Sequence, residues 1–69
     1  MERNDVDWLE AKVQANLNGR ISNFRIRIDD RELIVLEGRT MTYYAKQLAQ
    51  HAVMQCSDVP IAANQIIVS

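Results

Sequence analysis

The sequence predicts an α+β fold of order α-β-β-α-β, a three-stranded sheet with two helices packed on one face. Three observations lead there. Apolar residues recur at helical spacing in two stretches. In three others they alternate or run unbroken for a few residues, as strands do. At 69 residues, with 48% apolar and 25% charged side chains, the chain is one small domain, 1–69, of ordinary globular composition.

The first helix is expected over 5–18. Val6, Leu9, Val13 and Leu17 fall on one helical stripe, and Trp8 sits at its edge. Asp5 or Asn4 can cap the orphan amides of the first turn, and Asp5, Asp7 and Glu10 suit the positive end of the helix dipole. Asn18-Gly19 then supplies the left-handed residue that ends many helices.

From here the period changes to two, and a strand is expected over 21–28. Phe24, Ile26 and Ile28 alternate with Arg25 and Arg27, the pattern of a half-buried strand. Asp29-Asp30-Arg31-Glu32 reads as a tight polar turn into a second strand, 33–40. That strand is apolar on both faces. Ile34 and Leu36 share parity with Gly38, whereas Leu33 and Val35 share it with Glu37 and Arg39.

A second helix is expected over 42–56, capped by Thr42 or Thr40. Ala45, Leu48, Ala49, Ala52, Val53 and Cys56 form a broad apolar stripe. Its small residues allow close approach to the sheet, and Gly38 is expected to allow the same from the strand side. Ser57-Asp58-Val59-Pro60 stops the helix, because proline cannot continue it. A third strand, 61–68, places Ala62, Asn64, Ile66 and Val68 on one parity and Ala63, Gln65 and Ile67 on the other.

These residues, in this order, resemble the BON domain, a small bacterial module of osmotically inducible and nodulation-type proteins. The resemblance lies in Ile34, Leu36 and Gly38 of I-V-L-E-G-R, in Lys46 and Ala49 of the second helix, and in Asn64, Ile66 and Val68 of A-N-Q-I-I-V. It covers about residues 5–69. Two turns depart from the family pattern: Asp29–Glu32 lacks its usual glycine, and Asp58-Val59-Pro60 stands where glycine-valine is common. The resemblance implies a non-enzymatic module, often exported or envelope-associated, that binds phospholipid or other macromolecular surfaces. It also implies structural roles for Gly38 and Asn64.

No catalytic, cofactor-binding or metal-binding residues are expected. His51 lies on the polar side of the second helix with no Cys, Asp or Glu three or four residues away, and reads as solvent-exposed. Cys56 ends the apolar stripe and reads as a small buried side chain; alone it makes neither an internal disulfide nor a metal site. Asp29, Asp30 and Glu32 lack the alternating ligands and glycine of a calcium loop, so they read as a solvated turn. Tyr43-Tyr44 is expected as partly buried packing, with an exposed aromatic pair as the alternative.

The sheet face away from the helices is the candidate docking surface. Leu33, Val35 and Ile67 are expected there as an exposed aliphatic patch rimmed by Arg25, Arg27 and Arg39. The alternative is that arginine stems simply cover the aliphatics. The expected function is therefore a binding or assembly module that docks a protein partner or another copy through this face or a strand edge. Attachment to anionic phospholipid is the alternative. A KH-like nucleic-acid module is disfavoured, since no Gly-x-x-Gly loop is present and the net charge is −1. The first residues lack the order of a signal peptide, and the longest aliphatic run is four residues. A cytoplasmic location is expected for the chain as it stands, and an envelope location for a piece of a larger exported protein.

Overall fold

The computed structural model describes residues 3–69, with side chains from Asp5 onward. The elements are α1 (Arg3–Leu17), β1 (Ile21–Ile28), β2 (Ile34–Thr40), α2 (Tyr43–Cys56) and β3 (Ile61–Val68). This is the α-β-β-α-β order, an α+β fold. The strand order, which the sequence leaves open, is β1-β2-β3. β1 and β2 are an antiparallel hairpin, while β2 and β3 run parallel. Parallel neighbours need a crossover, and α2 provides it.

The core forms where the two apolar periods meet. Leu9, Val13 and Leu17 of α1 and Ala45, Ala49, Ala52 and Val53 of α2 pack with Ile34, Leu36 and Ile66 of the sheet. Leu48 and Cys56 lie half-buried at the rim of this cluster, so Cys56 is less enclosed than its place on the stripe implies. The cap of α2 is Thr42, whose hydroxyl accepts the Ala45 N–H at 3.1 Å. At the end of α1, Asn18 and Gly19 both take positive φ, 52° and 76°.

Three expectations need correction. The helix α1 starts at Arg3, so Asp5 lies within the first turn near the positive helix end and is not its cap. The side chain of Asn4, the other candidate cap, lies outside the described residues. β2 begins at Ile34, because Leu33 belongs to the turn: its N–H donates to Asp29 Oδ1 and its carbonyl accepts the Asp29 N–H, each at 2.9 Å. The left-handed position of that turn, which lacks glycine, is filled by Glu32 (φ 62°).

The third correction concerns Gly38. It makes room for β1, not for a helix. A Cβ there would lie 2.8 Å from Ile21 Cγ2, 3.2 Å from the Ser22 carbonyl oxygen and 3.3 Å from Phe24 Cα. The cause is a bulge in β1 between Ser22 and Arg25, with Asn23 at φ 55°. The extra residue lets Ile21 and Phe24 both turn into the core, and it presses the bulged strand against β2.

Candidate docking surface

The pairing register sets out the uncovered sheet face in three rows. Arg25, Glu37 and Gln65 lie side by side; Arg27, Val35 and Ala63 form the next row; Ser22, Arg39 and Ile67 form the third. Arg27 Nε lies diagonally across from Glu37 Oε2, at 3.2 Å. Both side chains are about half exposed, so the pair itself adds little stability. Three arginines thus face one carboxylate, and among the described residues neither Arg25 nor Arg39 forms an ion pair.

Of the six residues singled out in the sequence, Arg25, Arg27, Val35, Arg39 and Ile67 share the uncovered face, but the three aliphatics do not form one exposed patch. Val35 is only 5% exposed, Leu33 is half-buried, and Ile67 alone is largely open, at 55%. Leu33 and Ile67 also sit at opposite ends of β2, six positions apart in the register, or about 20 Å at strand rise. Val35 is nearly fully buried between its register partners Arg27 and Ala63, next to Glu37, with which Arg27 pairs. The face is a cationic surface with one exposed isoleucine, and the expected aliphatic patch with an arginine rim does not form.

Both sheet edges carry side-chain bonds, of which the sequence points only to Asn64, through the structural role that the resemblance implies. On β1, the Ile26 N–H donates to Glu10 Oε1 at 2.8 Å, and Gln14 Nε2 donates to the Phe24 carbonyl at 3.4 Å. On β3, Asn64 Oδ1 accepts the Ile66 N–H at 3.2 Å. Its Nδ2 reaches α2, donating to the Lys46 carbonyl at 3.2 Å and to Gln50 Oε1 at 3.3 Å. The bulged β1 edge is therefore doubly covered, while β3 has one such bond and is the freer edge for pairing.

Other candidates resolve simply. Tyr43 and Tyr44 are exposed, so the packing expected of them is not found. Met41, the residue before the Thr42 cap, is the most exposed large apolar side chain described. A hollow of about 410 Å³ opens between α2 and β3, lined by Tyr43, Lys46, Gln50, His51, Met54 and Asn64. His51 is exposed, with Gln55 Nε2 3.1 Å from its Nε2. Among the described residues no group of His, Cys, Asp and Glu is placed to hold a metal ion. The Leu33 N–H holds the Asp29 carboxyl below its ordinary range, with help from the Arg31 N–H and guanidinium and against partial desolvation.

What fold and surface define together is a small two-layer α+β domain with a cationic open sheet. No helix among the described residues is long and apolar enough to cross a membrane. Compared with family models, with curated proteins and with solved structures, the chain matches none.

Proposed function

We propose that the chain is a non-enzymatic binding or assembly module of the BON type, which docks a protein partner or another copy on its uncovered sheet face or β3 edge. The observation that carries this reading is the excess of cations on that face. Arg25, Arg27 and Arg39 stand against Glu37 alone, beside an exposed Ile67, in a chain whose net charge is −1. Such a surface suits a partner bearing carboxylates and a small apolar contact. The double variant Arg39→Glu/Ile67→Glu tests it, since both side chains are exposed and the fold should survive. Wild type that dimerises or retains a protein, with the variant losing that contact, is expected in light scattering and pull-down. Identical behaviour of the two proteins overturns the reading.

Attachment to anionic phospholipid is the second reading. It is favoured by Arg20 and Arg39, which lack carboxylate partners among the described residues, lying at the end of the sheet that also bears Met41, Tyr43 and Ile67. Each such cation near a charged bilayer is worth about 1 kcal/mol. Co-sedimentation with anionic but not neutral vesicles at low salt is the expected outcome; no difference between the two removes it.

A further inference from the structure

The two ends of the molecule differ in charge and in shape. One end joins the α1–β1 turn, the β2–α2 junction and the last residues of β3. Thr40 ties them together: its hydroxyl donates to the Arg20 carbonyl at 2.9 Å and its carbonyl accepts the Ser69 N–H at 3.0 Å. The segments 17–22, 39–44 and 66–69 that build this end hold Arg20 and Arg39 and no carboxylate side chain. Met41 stands out from it, 85% exposed, beside the exposed Tyr43 and Tyr44.

The other end joins the start of α1, the β1–β2 turn and the α2–β3 turn. The Ile34 N–H, donating to the Pro60 carbonyl at 3.0 Å, holds the two turns side by side. The segments 7–9, 28–34 and 56–61 carry Asp7, Asp29, Asp30, Glu32 and Asp58, with Arg31 the one basic residue among them, and Lys12 Nζ lies 5.1 Å from the Trp8 ring. That arginine is already engaged by Asp29, at 3.6 Å. Between α1 and the α2–β3 turn lies a hollow of about 280 Å³, lined by Trp8, Leu9, Cys56 and Val59 with Asp5 and Ser57 at its polar side.

We propose that these ends are the two halves of one heterologous interface between copies of this chain. The Met41 end of one copy seats in the Trp8–Val59 hollow of the next, with Arg20 facing the acidic turns. The charges are complementary, and a flexible thioether against an indole fills an irregular apolar hollow well. Because the contact joins unlike surfaces, association is head to tail and adds copies until a ring closes or the filament is limited by affinity. Each contact is small, which makes it weak and concentration-dependent. The interface uses neither Arg25 nor Arg27 of the sheet face; Arg39 and Ile67 lie where that face meets the Met41 end, so Arg25→Glu is the variant that separates the two readings.

Complementation between two broken surfaces tests the idea. Met41→Glu spoils the protruding end and leaves the hollow intact; Trp8→Lys does the reverse. Both residues are exposed, so both variants keep the fold, which circular dichroism checks. In sedimentation velocity the wild type should grow with concentration and shrink with added salt. Each variant alone should associate on the order of tenfold more weakly. An equimolar mixture should recover association that neither variant shows alone, because the intact end of one meets the intact hollow of the other. Arg20→Glu should weaken association like Met41→Glu, whereas Arg25→Glu on the sheet face should leave it unchanged. A wild type that stays monomeric at all concentrations, variants that associate as it does, or a mixture that associates no more than either variant alone each overturn the proposal.

Discussion

Glu10 of α1 reaches over the sheet and accepts the amide proton of Ile26 at 2.8 Å, closing the edge of β1 with a side chain. A charged acceptor on a part-buried N–H makes one of the stronger hydrogen bonds available to a small domain. It also occupies a group that would otherwise be open to a passing strand.

Glu10→Ala should therefore cost about 1–2 kcal/mol in urea unfolding, as a part-buried donor loses its partner. Glu10→Gln keeps an oxygen acceptor and should cost less. The alanine variant should also aggregate faster on heating, followed by light scattering. Equal stability of all three proteins would show that water replaces Glu10 without penalty.

Asn64 ties β3 to α2, taking the Ile66 N–H of its own strand while giving its N–H groups to the Lys46 carbonyl and to Gln50 Oε1. Asn64→Ala is expected to lose about 1–2 kcal/mol. Asn64→Asp keeps the acceptor for Ile66 but sets a carboxylate against the Lys46 carbonyl. It should be at least as destabilising as alanine, in the same unfolding experiment. An aspartate variant as stable as the wild type would mean that the bond to α2 contributes nothing.

Gly38→Ala should destabilise by about 2–3 kcal/mol, since the new methyl meets β1 at 2.8–3.3 Å and the backbone φ is +153°. Adding Ile21→Val does not relieve it, because valine keeps a methyl on Cβ and the contacts to Ser22 and Phe24 are to backbone. Full recovery in the double variant, measured by thermal unfolding, would contradict this account.

Asp29 contributes to stability in a pH-dependent way. Its carboxyl is held below the ordinary range by the Leu33 N–H first, then by Arg31. A depressed folded-state value means that the stabilisation is present above the unfolded value of about 3.9 and is lost as pH falls through the folded one. Asp29→Asn should thus melt below the wild type at neutral pH, and the gap should close in acid. A gap independent of pH would assign the effect to hydrogen-bond geometry alone.

What the sequence by itself determined is the element order and the inward faces. Val6 to Leu17 and Ala45 to Cys56 repeat at helical spacing, and Phe24, Ile26, Ile34, Leu36 and Ile66 at strand parity, because each element can bury only one side. Turn chemistry was legible at Asn18-Gly19 and Thr42, where local backbone geometry selects the residue type. Tertiary structure decided what depends on neighbours distant in the chain. The bulge at Asn23 turned Gly38 toward β1, since the space a glycine serves is set by the strand beside it. The pairing register set Arg27 beside Val35 and carried Ile67 far from Leu33, so the outward aliphatics do not meet. Only packing α1 and α2 on the sheet let Glu10 reach the β1 edge and Asn64 of β3 reach the Lys46 carbonyl of α2. Only the chain's reversals gathered Arg20 and Met41 at one end and the acidic turns at the other, because periodicity records which way a side chain faces and not what will stand opposite it.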